Sequence, residues 1–205
     1  MSTKKSQSKV GRPRNQNLEA AFLNATVKVI GDKGYRDLTL SDVAEEAGSS
    51  RPALYRRWSS KQGLVVDTLS MLFKEAIPEV PDTGSPQVDV ATMLKGFTAL
   101  LRKNNGYLVL VNLIPELRRD NELGNLFKKI EIGRRLFLVK AILRGQSRDL
   151  IDPALDIDLA IDRMLGAIYF RLIFRDGIPP DEVIDEIARA TLPPSEPFCS
   201  GTNRT

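Results

Sequence analysis

The sequence predicts an all-α protein of about nine helices in two parts, a short N-terminal group followed by a longer helical domain. Three observations carry this. Apolar residues recur at spacings of three and four through most of the 205 residues, and no stretch alternates as a strand would. Breaks containing glycine or proline punctuate the pattern at helix-sized intervals. A stretch at 78–86, holding three prolines and Gly84-Ser85, divides the first group of helices from the second.

Residues 1–14 carry Lys4, Lys5, Lys9, Arg12 and Arg14 without an acid or apolar periodicity, and read as a flexible basic arm. Arg12 and Arg14, in Gly11-Arg12-Pro13-Arg14, suit an extended segment in a DNA minor groove, although a solubilising tail has the same composition. The next unit spans 15–60. Leu18, Phe22, Ala25 and Val29 mark its first helix, closed by Gly31 and Gly34. Thr39-Leu40-Ser41-Asp42 has the form of a capping box opening a second helix, with Val43, Ala44 and Ala47 facing inward. Gly48 stops it, and Ser49-Ser50 is the turn. Pro52 fits the first turn of a third helix, where its missing N–H would be unpaired anyway. Leu54 and Trp58, one turn apart, anchor that helix to the core. Ser59-Ser60 precedes a connecting helix over 61–77, with Leu64, Val65, Thr68, Leu69 and Leu72 on its apolar side. The second domain covers 78–192, with helices near 87–103, 107–119, 121–145, 155–175 and 180–191, and residues 193–205 form a flexible tail.

Composition narrows the chemistry. There is no histidine, so histidine general bases, triads and metal ligands are excluded at once. The single cysteine, Cys199, cannot form an intrachain disulfide. No glycine-rich phosphate loop or nucleophile motif appears, so the sequence points to a non-enzyme without a cofactor or metal. No apolar run reaches the roughly 18 residues of a membrane span, and no signal-peptide core follows the basic start. The expectation is a protein retained in the cytoplasm, away from membranes. Residues 1–61 hold 12 Lys and Arg against 6 Asp and Glu, whereas the remainder holds 18 against 20. Positive charge concentrated at one end suits a polyanionic partner.

Residues 39–58 have the outline of a helix-turn-helix: two short helices joined by a glycine-containing turn. With Leu54 and Trp58 turned inward, Arg51, Ala53, Tyr55, Arg56 and Arg57 remain to enter a major groove. Arginine offers a fork to guanine or phosphate, Ala53 a methyl contact to thymine, and Tyr55 a hydroxyl to phosphate. Thr39 and Lys61 stand at helix starts suited to phosphate. Leu38-Thr39-Leu40-Ser41-Asp42-Val43-Ala44-Glu45-Glu46-Ala47-Gly48 resembles the second-helix signature of the TetR family of bacterial transcription regulators. Ser50-Arg51-Pro52-Ala53-Leu54-Tyr55-Arg56-Arg57-Trp58-Ser59-Ser60-Lys61 resembles its recognition helix and the start of its fourth helix. The resemblance covers about residues 18–75. It implies phosphate contacts by Thr39, Tyr55 and Lys61, and base reading by Ser50, Arg51, Ala53 and Arg56, with Pro52 on the same DNA-facing turn.

It further implies a homodimer on a palindromic double-stranded operator, released by a small-molecule effector bound in the second domain. Phe97, Leu101, Tyr107, Leu110, Phe127 and Phe137 lie on helices that surround the ligand in that family; as aromatic and aliphatic residues at helical spacing they equally suit a plain core. The helix near 155–175 is apolar on several sides. Its stripe of Ile161, Leu165, Ile168 and Leu172, with Ile184 and Ile187 of the last helix, is assigned to the dimer interface, while Leu159, Phe170, Ile173 and Phe174 cover other faces. Glu131 with Arg134-Arg135 reads as a solvated, paired face. An activator or ligand-independent DNA binder would share every one of these features. An enzyme or carrier with an appended helix-turn-helix is the rival from another class, and the missing catalytic groups count against it.

Overall fold

The computed structural model describes residues 13–76, 79–103, 106–175 and 177–195. Among these the chain forms nine α-helices and one 3₁₀ turn, without a strand. Helix α1 (Pro13–Asp37) starts on a proline, which the first turn tolerates, and so begins more than a turn before Leu18. Arg14 therefore lies in the opening turn of α1, and Arg12 lies outside the described residues. Gly31 does not close the helix but sits within it. The backbone leaves helical geometry only at Gly34 (φ 79°, ψ 168°), in the left-handed region where an L side chain is strained.

Helices α2 (Leu40–Glu46), α3 (Arg51–Tyr55) and α4 (Lys61–Ala76) follow. With α1 they enclose a first core that includes Phe22, Ile30, Val43, Leu54, Leu64 and Leu69. That core does not stop at residue 78. Val109 and Leu113 of α6 (Gly106–Leu113) and Leu123 of α7 (Asn121–Ser147) belong to it, because α6 packs along α1. Continuous helix over 107–119 does not form. Pro115 lacks an N–H, and its ring would clash with the carbonyl one turn back. Helix α6 therefore ends at Leu113, and a 3₁₀ turn at Glu116–Arg118 leads to Asp120, the N-cap of α7.

Helices α5 (Pro86–Arg102), α8 (Ile157–Phe174) and α9 (Asp181–Thr191) build a second core with the rest of α7. Close approach at one point requires glycine: a Cβ on Gly145 would lie 2.7 Å from Pro86 and 2.8 Å from Ile151. The segment before α5 is pinned. Asp89, 2% exposed, receives Arg144 at 2.8 Å and both the amide and hydroxyl of Thr83. A buried carboxylate needs such partners to remain charged.

The apolar stripe assigned to the dimer interface is spent inside the subunit. Ile161, Leu165, Ile168, Leu172 and Ile184 are all buried in the second core, and Ile187 is half-buried against it. A residue already enclosed by its own chain has no surface to offer a partner. The apolar surface left on α8 is Leu159, Phe170, Ile173 and Phe174, with Gly166 open among them. Helix α7 adds exposed Ile132, Leu136 and Leu143. No described helix is long and apolar enough to cross a membrane.

Candidate nucleic-acid interface

The turn between α2 and α3 is built by local chemistry. Thr39 accepts from the Asp42 amide at 3.1 Å, and Asp42 accepts from the Thr39 amide at 3.1 Å, which completes the capping box. At the other end of α2 the Ser49 amide donates to Ala44 and the Gly48 amide to Glu45, both at 2.9 Å. This is a Schellman closure, and it needs the positive φ of 60° that Gly48 supplies. Lys33 pairs with Asp42 at 2.9 Å and Lys28 with Glu46 at 2.7 Å, tying α1 to α2. The hydrogen bond from Lys33, then that from Thr39, holds the Asp42 carboxyl below its usual range.

Helix α3 is short and rigidly backed. Ser50 is its N-cap and accepts from the Ala53 amide. Leu54 is fully buried, and Trp58, 6% exposed, meets Phe22 edge-on at 5.9 Å between centroids. The Trp58 indole donates to Asp67 of α4 at 2.8 Å, so recognition helix and connecting helix are locked together. Outward from this base stand Arg51, Pro52, Tyr55 and Arg56, all exposed. Two of the three acids of α2, Asp42 and Glu46, are taken by lysines of α1, and Arg51 and Arg56 carry no ion pair among the described residues. The result is a protruding turn with two uncompensated guanidinium groups and a phenol, a shape and charge suited to a DNA groove.

The remaining expected positions fall elsewhere. Ala53 is buried beside Leu54, because α3 turns its small residue toward the core. Arg57 donates to the Ala53 carbonyl at 2.9 Å. Ser50 is exposed but is used as a cap. Lys61 points inward: its ammonium donates to the carbonyls of Tyr35, Arg36 and Leu38 at 3.1, 3.0 and 3.5 Å and lies 4.5 Å from the Tyr35 ring centre. Three donors meet three acceptors, so this lysine closes the C-terminal end of α1.

Sequence reasoning missed what joins this interface to α7, the helix that both cores share. The Tyr35 hydroxyl donates to Asp120 at 3.0 Å, and the Gln62 amide donates to the same oxygen at 2.8 Å. Asp120 also caps α7 by accepting from the Leu123 amide at 3.0 Å. That amide, then Gln62 and Tyr35, keep the Asp120 carboxyl below its usual range, while burial, then the hydrogen bond to Asp120 and its charge, push the Tyr35 phenol up. Asn112 of α6 donates to the Ile30 carbonyl at 3.2 Å.

The six residues expected around a ligand do not converge. Phe97, Leu101 and Leu110 are buried in the second core, and Tyr107 and Phe137 pack against it, but Phe127 packs against the first core. Of the six, only Phe97 lines the small cavity in the second core, with Met93, Leu94, Arg134, Leu138 and Leu165. Arg134, expected on a solvated face, is 8% exposed. The signal was present: Leu123, Phe127, Ile130, Arg134, Leu138, Ala141 and Ile142 form one helical stripe, with Arg134 in its middle.

Residues 22–68 match the family described as bacterial regulatory proteins, tetR family, and residues 80–191 match tetracyclin repressor-like, C-terminal domain. The uncharacterised HTH-type transcriptional regulator YdeS of Bacillus subtilis is 31% identical over 89% of this chain and 90% of its own length. The HTH-type transcriptional regulator AqdR of Rhodococcus erythropolis is 28% identical over 76% of this chain and 74% of its own. Among solved structures, the TetR family regulator SCO0332 superposes with a TM-score of 0.66 at 25% identity, covering 84% of this chain and 94% of that one. The regulator FadR from Bacillus subtilis, in complex with stearoyl-CoA, shares the fold with a TM-score of 0.67 at 20% identity, over 84% and 98% of the two chains. Family matches in both halves and the relative similar over nearly its whole length agree with the helix-turn-helix and its protruding basic turn: the chain belongs to the TetR family and is a DNA-binding transcriptional regulator.

Proposed function

We propose that this regulator acts as a homodimeric repressor, seated on a palindromic operator and released by a small-molecule effector. The observation that carries the reading is the exposed Arg51-Pro52, Tyr55 and Arg56 surface on a helix fixed from behind by Leu54 and Trp58. Arg51 and Arg56 read base edges, Tyr55 takes phosphate, and the N-terminus of α2 at Thr39 lies on the adjoining backbone. Two such heads, spaced by about one turn of DNA, roughly 34–36 Å, enter successive major grooves.

The exposed apolar residues of α8 support the dimer. Leu159, Phe170, Ile173 and Phe174 occur with Gly166 on a surface that water would otherwise wet, and the rings of Phe170 and Phe174 meet at a tilt, 5.3 Å between centroids. Release by a ligand rests on the second core and on the likeness to a fold that holds stearoyl-CoA in another protein. The cavity in the second core and the Tyr35–Asp120–Gln62 junction give a physical route. A ligand that binds one arrangement of α7 better than another shifts α1 and α4, and with them the recognition helix.

The test is operator binding by single variants. Arg56→Ala is expected to weaken binding by about 1–3 kcal/mol and to relax preference at one base position, and Tyr55→Phe to weaken it less and uniformly. Titration of fluorescently labelled DNA from immediately upstream of the encoding gene reads both. If both variants bind like the parent, α3 is not the reading head.

A further inference from the structure

Arg134 is the least explained charge in the molecule. It stands on α7 but reaches into the second core, where 6% of its side chain remains accessible. Its guanidinium carbon lies 4.7 Å from the ring centre of Phe97 on α5 and 5.0 Å from that of Phe73 on α4. Its Nη2 donates to the Tyr169 hydroxyl of α8 at 3.0 Å. The nearest carboxylate oxygen, on Glu131, is 3.6 Å from Nη2, beyond a good hydrogen bond, and lies 4.0 Å from Arg135 as well. Arg135 has its own partners, Asp158 at 3.0 Å and Asp162 at 2.7 Å. Arg134 Nη1 is fully buried and makes no hydrogen bond among the described residues.

A buried guanidinium N–H without an acceptor is costly, and the usual remedy is a hydrogen-bonding anion. Here the side chain that carries this donor lines a cavity. Met93, Leu94, Phe97, Leu138 and Leu165 form its apolar lining, and Arg134 is the charged group among the described residues that line it. We propose that the effector is an organic carboxylate with an apolar body, its carboxylate taken by Arg134 Nη1 and its body lying among Met93, Leu138 and Leu165. This rests on the ligand-released reading above and names the chemistry of its ligand.

Three features favour a carboxylate. One guanidinium neutralises one negative charge, whereas a phosphate dianion would leave a second charge in an apolar core. The guanidinium fork fits the planar carboxylate. Tyr169 accepts from Nη2, which leaves its own proton to donate to the second carboxylate oxygen. The cavity as it stands, about 10 Å³, is too small for an organic molecule, so an apolar body must part the lining, and Met93 is the flexible member of it. Binding is thereby coupled to rearrangement. Because Arg134 also rests on Phe73 of α4, the helix locked to Trp58, a ligand that draws the guanidinium away changes the support of the reading head.

The experiment measures direct binding to the full chain by calorimetry, with octanoate, decanoate and 3-phenylpropionate as probes. The matched alcohols and amines serve as comparison compounds. We expect the acids to bind at least tenfold more tightly than their alcohols, and the amines not to bind. Arg134→Met and Arg134→Gln, each checked for a cooperative melt, are expected to lose that preference while alcohol binding persists. Arg134→Lys is expected to keep part of it. Equal affinity for acid and alcohol, or an undiminished acid preference in Arg134→Met, overturns the carboxylate assignment, makes Arg134 a structural group and leaves release by ligand standing. Failure of every acid to bind at millimolar concentration also overturns it. Release by ligand is judged separately, on whether any neutral compound that raises Tm displaces the protein from its operator.

Discussion

At the scale of single residues, identity alone did not determine role. Lys61 stands at a helix start, where a cation suits a phosphate, yet its ammonium is consumed by three carbonyls at the end of α1. Replacing it with methionine keeps an unbranched stem one atom shorter and leaves those carbonyls without their donor. Lys61→Met is expected to lower stability by about 1–2 kcal/mol, read as a lower Tm, and to leave the slope of log K against log salt unchanged. A slope reduced by about one unit would show that this lysine neutralises a phosphate instead. Ala53 teaches the same lesson, since α3 buries it and no methyl remains for a base. Thr39, Gly48 and Pro52 were legible because capping, left-handed backbone and the first helical turn are decided within a few residues. Ala53, Lys61 and Arg134 were not, because their surroundings come from helices distant in sequence. Arg134 in particular sat on an apolar stripe, and its charge concealed that position.

At the scale of elements, the extents of most helices followed from caps and periodicity, and the differences have physical causes. Pro115 splits the helix expected over 107–119, and Pro13 lets α1 start early. The junction of α1, α4 and α7 was invisible, since Tyr35, Gln62 and Asp120 are far apart in the chain. Asp42, Asp82 and Asp120 are all held below the usual carboxylate range by hydrogen bonds made in the folded state: to Lys33 and Thr39, to Arg148, and to the Leu123 amide with Gln62 and Tyr35. Each such group stabilises the fold above its unfolded value of about 3.9 and loses that contribution as pH falls through its lowered folded value. Without histidine, no side chain of ordinary pKa titrates between about pH 5 and 8. Tm is therefore expected to be nearly flat from pH 8 to 5 and to fall below roughly pH 4. Asp120→Asn keeps a capping side chain but removes the charge, so its Tm is expected to fall less on acidification than that of the parent. An equal or steeper fall would remove Asp120 from the account.

At the scale of the whole molecule, two cores meet along α4, α6 and α7, and function depends on how they are coupled. The fold class and the helix-turn-helix were readable in advance. Which face of α8 meets a partner was not: a helix apolar on several sides does not state which side its own domain will cover. The structure buries the stripe through Ile161, Ile168 and Leu172 and leaves Phe170 at 56% and Phe174 at 72% exposed. Phe170→Glu places a charge on that exposed surface without touching the core. Its mass by analytical ultracentrifugation is expected to be that of one chain, and its operator affinity to fall as two linked heads become independent. A dimer that survives this change would place the interface elsewhere.

The most direct measurement is a DNase footprint of the purified protein on the DNA upstream of its own gene, with a salt titration and excess random-sequence competitor, run beside Arg56→Ala. The account predicts a protected palindrome with half-sites about one helical turn apart, resistant to competitor, and weakened or lost in the variant. Protection without sequence preference that disappears in modest salt, equal for parent and variant, would contradict it: α3 would then hold DNA by charge alone.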